Sequence, residues 1–137
     1  MKSLLGFTLA VLISGPPAFG AEALSARMDP TKKNILIDVS YRGGCVRHRF
    51  TLFMWGCAET PLLQCSVQLI EITDKPDFCE AFIHTTAVIP LDLVGLSSSY
   101  YSKASLVIYG DNNSQATVIL PKIEEKKSLF QVLFGQN

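Results

Sequence analysis

The sequence is poor in charge and has no excess of either sign. Only 18% of its 137 residues are charged, and twelve acidic side chains balance twelve basic ones. A nucleic-acid-binding domain normally carries a clear basic excess, and a disordered chain is poor in apolar residues, whereas 48% of this chain is apolar. We therefore expect one globular domain that binds no nucleic acid.

Catalytic signatures are missing as well. The chain has no Gly-x-Ser-x-Gly elbow, no Cys-x-x-Cys redox pair and only two histidines to serve as a base. The acidic side chains of Glu71, Asp74, Asp77 and Glu80 crowd one turn, a pattern typical of a solvated loop rather than of a glycosidase site. We predict that the protein is not an enzyme and has no catalytic residues, no cofactor and no metal.

The sequence contains no apolar run long enough to cross a bilayer. A shorter apolar run, residues 4–14, follows Lys2 near the N-terminus. Ala18 and Gly20 are small residues at the third and first positions before a cleavage after Gly20. A positive start, a short apolar stretch and small residues at the cut are the three parts of a secretory signal.

We therefore predict that residues 1–20 are a signal peptide and that residues 21–137 form one exported domain. A cut after Ala23 also satisfies the small-residue rule. Loss of Lys2 leaves a net charge of −1. The predicted location is periplasmic or secreted, with no stable membrane insertion once the signal is removed.

Alternation of apolar and polar residues dominates the mature chain. Ile35, Ile37 and Val39 fall on one face of a strand, with Asp38 on the other. Strands are predicted at 34–41, 46–55, 65–72, 78–89, 104–109 and 116–120. This spacing indicates an all-β fold, a single antiparallel β-sandwich (Ig-like or related) of about six or seven strands. The segment 124–134 fits a short amphipathic helix or an edge strand, and we favour the strand.

The four cysteines, all in the mature chain, predict two disulfides. An even count in an exported protein favours disulfides over free thiols. Four cysteines allow three pairings, and the sequence alone cannot choose among them. The strand order ranks first the pair Cys57–Cys65, joined by residues 58–64 between two neighbouring strands, which leaves Cys45 to pair with Cys79.

Two thiols and two imidazoles offer an alternative in which the protein binds a metal. Cys45-x-x-His48 and Cys79-x₄-His84 carry ligand types that zinc and copper accept. Disulfide formation would remove the thiolates, and His48 falls on the apolar face of its strand. This metal-binding alternative therefore depends on His48 and His84.

A basic and aromatic strip gives the main candidate for a binding face. Arg47, Arg49, Phe53 and Trp55 share one face of the strand at 46–55, and such a strip suits a protein or a carbohydrate of the cell envelope. We predict a non-catalytic binding or accessory protein of the envelope.

The runner-up to this prediction is an inhibitor of an envelope or host hydrolase. The disulfide-closed loop 58–64 would then present Pro61 and Leu62 to a pocket of the target enzyme.

Three short motifs stand out in the sequence: Tyr41-Arg42-Gly43-Gly44-Cys45-x-x-His48-x-Phe50-x-Leu52, Asp77-Phe78-Cys79-Glu80-Ala81 and Asp92-Leu93-Val94-Gly95-Leu96. By these motifs the chain resembles a group of small exported bacterial proteins and lipoproteins of uncharacterised function, and the resemblance covers roughly residues 35–96. It implies that Cys45 and Cys79 are the pair common to the group, that Cys57 and Cys65 are an addition, and that His48 is inward and structural. This chain lacks the cysteine to which a lipid would be attached.

Overall fold

The computed structural model describes residues 20–124. The predicted signal peptide, apart from Gly20, and residues 125–134 of the predicted tail element lie outside this part. Within it, the elements follow one another as β1 (Glu22–Met28), β2 (Asn34–Gly43), β3 (His48–Thr60), β4 (Leu62–Thr73), β5 (Ala81–Pro90), two short 3₁₀ helices (Asp92–Val94 and Ser99–Tyr101), β6 (Ser105–Tyr109) and β7 (Gln115–Ile119).

The strands form two sheets, so the all-β prediction is confirmed. One sheet has the order β1-β2-β5 and the other the order β3-β4-β6-β7. Neighbouring strands are antiparallel except for β4 and β6, which are parallel, so the prediction of a wholly antiparallel fold was wrong at this pair. The cause is the route of the chain, because β5 pairs with β2 in the other sheet before the chain returns as β6.

The inward residues of both sheets form one hydrophobic cluster. In β2, Ile35, Ile37 and Val39 are fully buried, as their alternation predicts, and Leu106 and Ile108 of β6 join them. Burying a side chain of this size stabilises the fold by about 1.5–3 kcal/mol relative to leaving it exposed. The shared core therefore fixes which face of each strand is left to solvent.

Strand β1 was not predicted, because its sequence is rich in alanine, which is depleted in strands. The strand is anchored instead by the turn between β6 and β7. The backbone N–H of Asp111 donates to the carbonyl of Ala21 at 2.9 Å, and the hydroxyl of Ser114 accepts from the N–H of Ala23 at 3.0 Å. Both alanines are buried, so a cut after Ala23 would remove residues that contribute to the core.

The longest ladder joins β3 to β4 as a hairpin. At its tip Thr60 pairs with Leu62, and at its opposite end, which we call the open end, His48 pairs with Thr73. The segment 58–64 was predicted as a loop, yet all of it except the residue at the tip, Pro61, is strand. The open end lies where the chain connects β2 to β3 and β4 to β5.

Candidate functional site

Three aromatic side chains lie close together on the outer side of the four-stranded sheet, and we call them the outer aromatic face: Phe53, Trp55 and Tyr109. Phe53 is 60% exposed and Trp55 64% exposed, because they alternate along β3 with Leu52 and Met54, which contribute to the core. The rings of Trp55 and Tyr109 lie within 13° of parallel, with centroids 6.0 Å apart.

Residues of β4 make this face continuous. Gln68 pairs with Phe53 on one side and with Tyr109 on the other, and its side-chain amide donates to the carbonyl of Tyr109 at 3.0 Å. Ile70 and Ile72 extend the apolar surface along the same strand and are both exposed. The exposed apolar surface is therefore a strip along the sheet rather than one isolated aromatic side chain.

The two arginines of the predicted strip border this face. Arg49 donates from Nη2 to Asp74 Oδ1 at 2.8 Å, and both side chains are more than half exposed, so the pair contributes little to stability. Arg47 is exposed just before β3, and it takes part in none of the salt bridges formed by residues 20–124. Its charge remains available to a partner.

A second candidate site lies at the open end of the hairpin. A cavity of about 340 Å³, which we call the open-end cavity, has Arg42, His48, Glu71, Asp77, Phe78 and Glu80 among its lining residues. The chain that connects β4 to β5 supplies the last three of these. A cavity of this size falls at the lower end of the range of small-ligand sites.

The imidazole of His48 is held between two buried carboxylates. Nδ1 is hydrogen-bonded to Glu71 Oε1, and Nε2 lies 2.6 Å from Asp77 Oδ2. The side chains of His48, Glu71 and Asp77 are only 4%, 6% and 4% exposed. Tyr41 covers the ring at a centroid distance of 4.3 Å. Because both nitrogens face acceptors, the ring satisfies both carboxylates only as imidazolium.

Backbone N–H groups fix the carboxylate of Asp77. Its Oδ2 accepts from the N–H of Gly44 at 3.0 Å, of Cys45 at 3.3 Å and of Val46 at 3.2 Å, while Oδ1 accepts from the N–H of Cys79 at 3.1 Å. One side chain thus joins the connection before β3 to the connection before β5. Such charge-assisted bonds are stronger than bonds between neutral groups.

The pKa values of the three groups follow from these contacts. Desolvation lowers the pKa of His48, but hydrogen bonds to Asp77 and Glu71 outweigh it and raise the pKa above its ordinary value. The hydrogen bond from His48 and the backbone N–H groups hold the pKa of Asp77 well below its usual range. Burial raises the pKa of Glu71, while His48 opposes that rise. The two carboxylate partners therefore favour the imidazolium form of His48.

The sequence interpretation of this acidic turn as solvated was wrong for two of its four members. Asp74 and Glu80 are exposed, whereas Glu71 and Asp77 are buried against His48. The alternation of β4 contains the missing signal, since Glu71 falls two residues after the buried Leu69 and on the same face. The position of Asp77 follows from backbone hydrogen bonds that no local pattern indicates.

The structure contains the two disulfides that were ranked first, Cys45–Cys79 and Cys57–Cys65. Cys45–Cys79 links the two connections at the open end, and Asp77 lies beside it, with a carboxylate oxygen within 4.8 Å of both sulfurs. No cysteine of residues 20–124 is free. The sulfurs therefore offer no thiolate to a metal ion.

The two histidines of the metal alternative are not brought together. His84 is exposed on β5, where it pairs with Ser40 of β2, while His48 is buried in the other sheet. Since neighbouring residues in a strand point to opposite faces, the exposed His84 lies on the face opposite to that of the partly buried Ile83.

At the hairpin tip, the predicted inhibitory residues are presented by a tight turn. Cys57 pairs directly with Cys65, with a Cα–Cα distance of 4.0 Å. Leu62 is exposed next to Pro61, and the Tyr100 hydroxyl donates to Glu59 at 3.2 Å. The inhibitor alternative stays a prediction.

Comparisons with known proteins return no relative. No family model, no curated protein and no solved structure matches this chain, so the resemblance to small exported bacterial proteins stays a prediction. None of the helices in residues 20–124 is long and apolar enough to span a membrane.

Proposed function

We propose that this chain is an exported, non-catalytic binding protein of the cell envelope and that its outer aromatic face docks onto another protein. The observation that carries the proposal is the exposure of Phe53 and Trp55 beside Tyr109. Large contiguous apolar patches are uncommon on monomeric proteins and mark interaction sites.

The composition of the face favours a protein over a carbohydrate as the partner. Tryptophan, tyrosine, phenylalanine and arginine are enriched at protein interfaces, and here aliphatic Ile70 and Ile72 continue the strip. Arg47, which forms no ion pair within residues 20–124 and lies at the margin of the strip, calls for a carboxylate on the partner. The expected partner surface is an apolar patch bordered by acidic side chains.

Two disulfides support export. Disulfides form and persist in oxidising compartments and are rare in the cytosol, and both pairs of this chain are oxidised. A periplasmic or secreted location accords with the signal-like N-terminal sequence.

Capture from an envelope extract, followed by affinity measurement with the purified partner, tests the proposal. Phe53→Ala and Trp55→Ala should each weaken binding at least tenfold, because aromatic anchors dominate interface energies. The matched control is Phe82→Ala, since Phe82 is as exposed as Phe53 but lies on β5 of the other sheet.

Equal affinity of all three variants for the partner would refute the proposal. Selective retention by envelope polysaccharide, lost in the Trp55 variant, would replace the protein partner with a carbohydrate. Turnover of any envelope substrate by the wild-type protein would contradict the non-catalytic part.

A further inference from the structure

Carboxylates are the most numerous charged groups that line the open-end cavity. Both nitrogens of His48 are already used by carboxylates, so the ring has no donor left for an anion. Asp77 accepts five hydrogen bonds. What remains on the inner wall is Glu71, whose Oε1 faces His48 while no described residue donates to its Oε2.

This second oxygen of Glu71 is open to the cavity. Within residues 20–124 no sealed side-chain oxygen lacks a partner, so an unpartnered Oε2 must be accessible. The side chain as a whole is nevertheless 94% buried, being 6% exposed. A carboxylate oxygen in this position favours a donor carrying positive charge, because interactions with a charged partner strengthen as water is excluded.

The rim of the cavity suits the same ligand chemistry. Glu80 places a second carboxylate there, and Phe78 presents a ring that is 89% exposed. An ammonium or guanidinium over an aromatic ring is attracted to its face. Anionic and aromatic groups together thus surround the entrance.

The one arginine of the lining does not neutralise these carboxylates. Its guanidinium, that of Arg42, lies 4.8 Å from the centroid of the Phe82 ring, and Arg42 takes part in none of the salt bridges of the described chain. Three carboxylate side chains therefore line the cavity against two basic ones, His48 and Arg42. An added cation suits this excess of acidic groups.

We propose that the open-end cavity binds an alkylammonium or guanidinium group, supplied by a small free amine or by a lysine or arginine side chain of another protein. Glu71 receives the charged group inside, while Phe78 contacts the rest of the ligand at the rim and Glu80 attracts the cation to the entrance. The volume of about 340 Å³ accommodates a side chain of this length. This site lies apart from the outer aromatic face, and its proposal stands without that function.

Titration with Nα-acetyl-lysine amide, followed by the backbone amide NMR signals of Gly44, Cys45 and Val46, tests this proposal. These amides report on the cluster because they donate to Asp77. The signals should move in a saturable way, and Nα-acetyl-norleucine amide, which has the same four side-chain carbons without the ammonium group, should leave them unchanged. A parallel titration with n-butylamine distinguishes the sources, since comparable affinity indicates a free amine and much weaker affinity indicates a side chain presented by a peptide.

Substitutions that remove a negative or a positive charge from the lining test the proposal further. Glu71→Gln should weaken lysine-probe binding at least tenfold, and Glu80→Gln, at the exposed rim away from the buried pair, should weaken it several-fold even if the first variant folds poorly. Arg42→Ala should strengthen binding, because it removes a competing positive charge. Glu59→Gln at the hairpin tip is the matched control and should change nothing.

Equal responses to the lysine and norleucine probes, or no response to either amine at millimolar concentration, would overturn the proposal. So would unchanged affinity in Glu80→Gln.

Discussion

The two ends of the β3–β4 hairpin are each closed by a disulfide, but they are stabilised in different ways. At the tip, Cys57 and Cys65 crosslink residues that the ladder already pairs. At the open end, Cys45 and Cys79 crosslink two connections just beyond the last pair of the β2–β5 ladder, Gly43 with Ala81. Here the disulfide and one buried charged cluster continue the order where that ladder ends. A disulfide therefore reinforces a hairpin at one end and helps to build a site at the other.

The largest expected effect of a single substitution is at the open end. His48→Ala leaves the carboxylates of Glu71 and Asp77 buried without their shared cation. Breaking a buried charge network in this way costs about 3–5 kcal/mol of unfolding free energy, measured by urea denaturation. The control is Arg49→Ala, one residue along on the opposite face, which should cost less than about 1 kcal/mol. Similar losses for the two variants would show that the cluster does not stabilise the open end.

Removal of the disulfides compares the two ends directly. Cys45→Ala/Cys79→Ala opens a loop of 34 residues and Cys57→Ala/Cys65→Ala one of 8. Loop entropy alone predicts losses of about 4 and about 2.5 kcal/mol. The difference should be larger still, because the first pair also holds the backbone that binds Asp77. A greater loss at the tip, in the same urea experiment, would reverse the comparison.

The open end should also make stability depend on pH. Since the pKa of His48 is raised above 6.5, its contribution is complete below pH 6.5 and is lost as the pH rises through the folded-state pKa. Glu71, with a raised pKa, acts in the same direction. Asp77, with a lowered pKa, contributes above pH 3.8 and loses its contribution as the pH falls. The cluster should therefore contribute most to the free energy of unfolding between pH 3.8 and pH 6.5.

Urea denaturation at about pH 5.5 and about pH 8.5 measures this dependence. The wild-type protein should be more stable at the lower pH, and His48→Gln should lose most of the difference. Tyr41, which also faces the ring, titrates above pH 10 and does not interfere. A rise in wild-type stability toward the higher pH would contradict the assignment of charge to His48.

The sequence predicts which strand faces are buried, because the alternation of apolar and polar residues can be read within each strand. Ile35, Ile37 and Val39 indicate one buried face, and the alternation at 46–55 places Phe53 and Trp55 outside. The parallel pairing of β4 with β6 and the alanine-rich β1 carry no such local signal. At the open end the alternation indicates that His48 and Glu71 point inward, but the second partner of His48, Asp77, is positioned by backbone groups more than thirty residues away.

The smallest expected effect is at the hairpin tip. Leu62 is 67% exposed, and the strands on either side are held by their ladder and by Cys57–Cys65. Leu62→Ser should therefore change the unfolding free energy by no more than about 0.5 kcal/mol, the usual range for surface positions. The same substitution should abolish any inhibition of a hydrolase that the tip performs. A loss of stability above 1.5 kcal/mol, in the range of core substitutions, would show that the tip is packed rather than free, and the contrast between the two ends would then not hold.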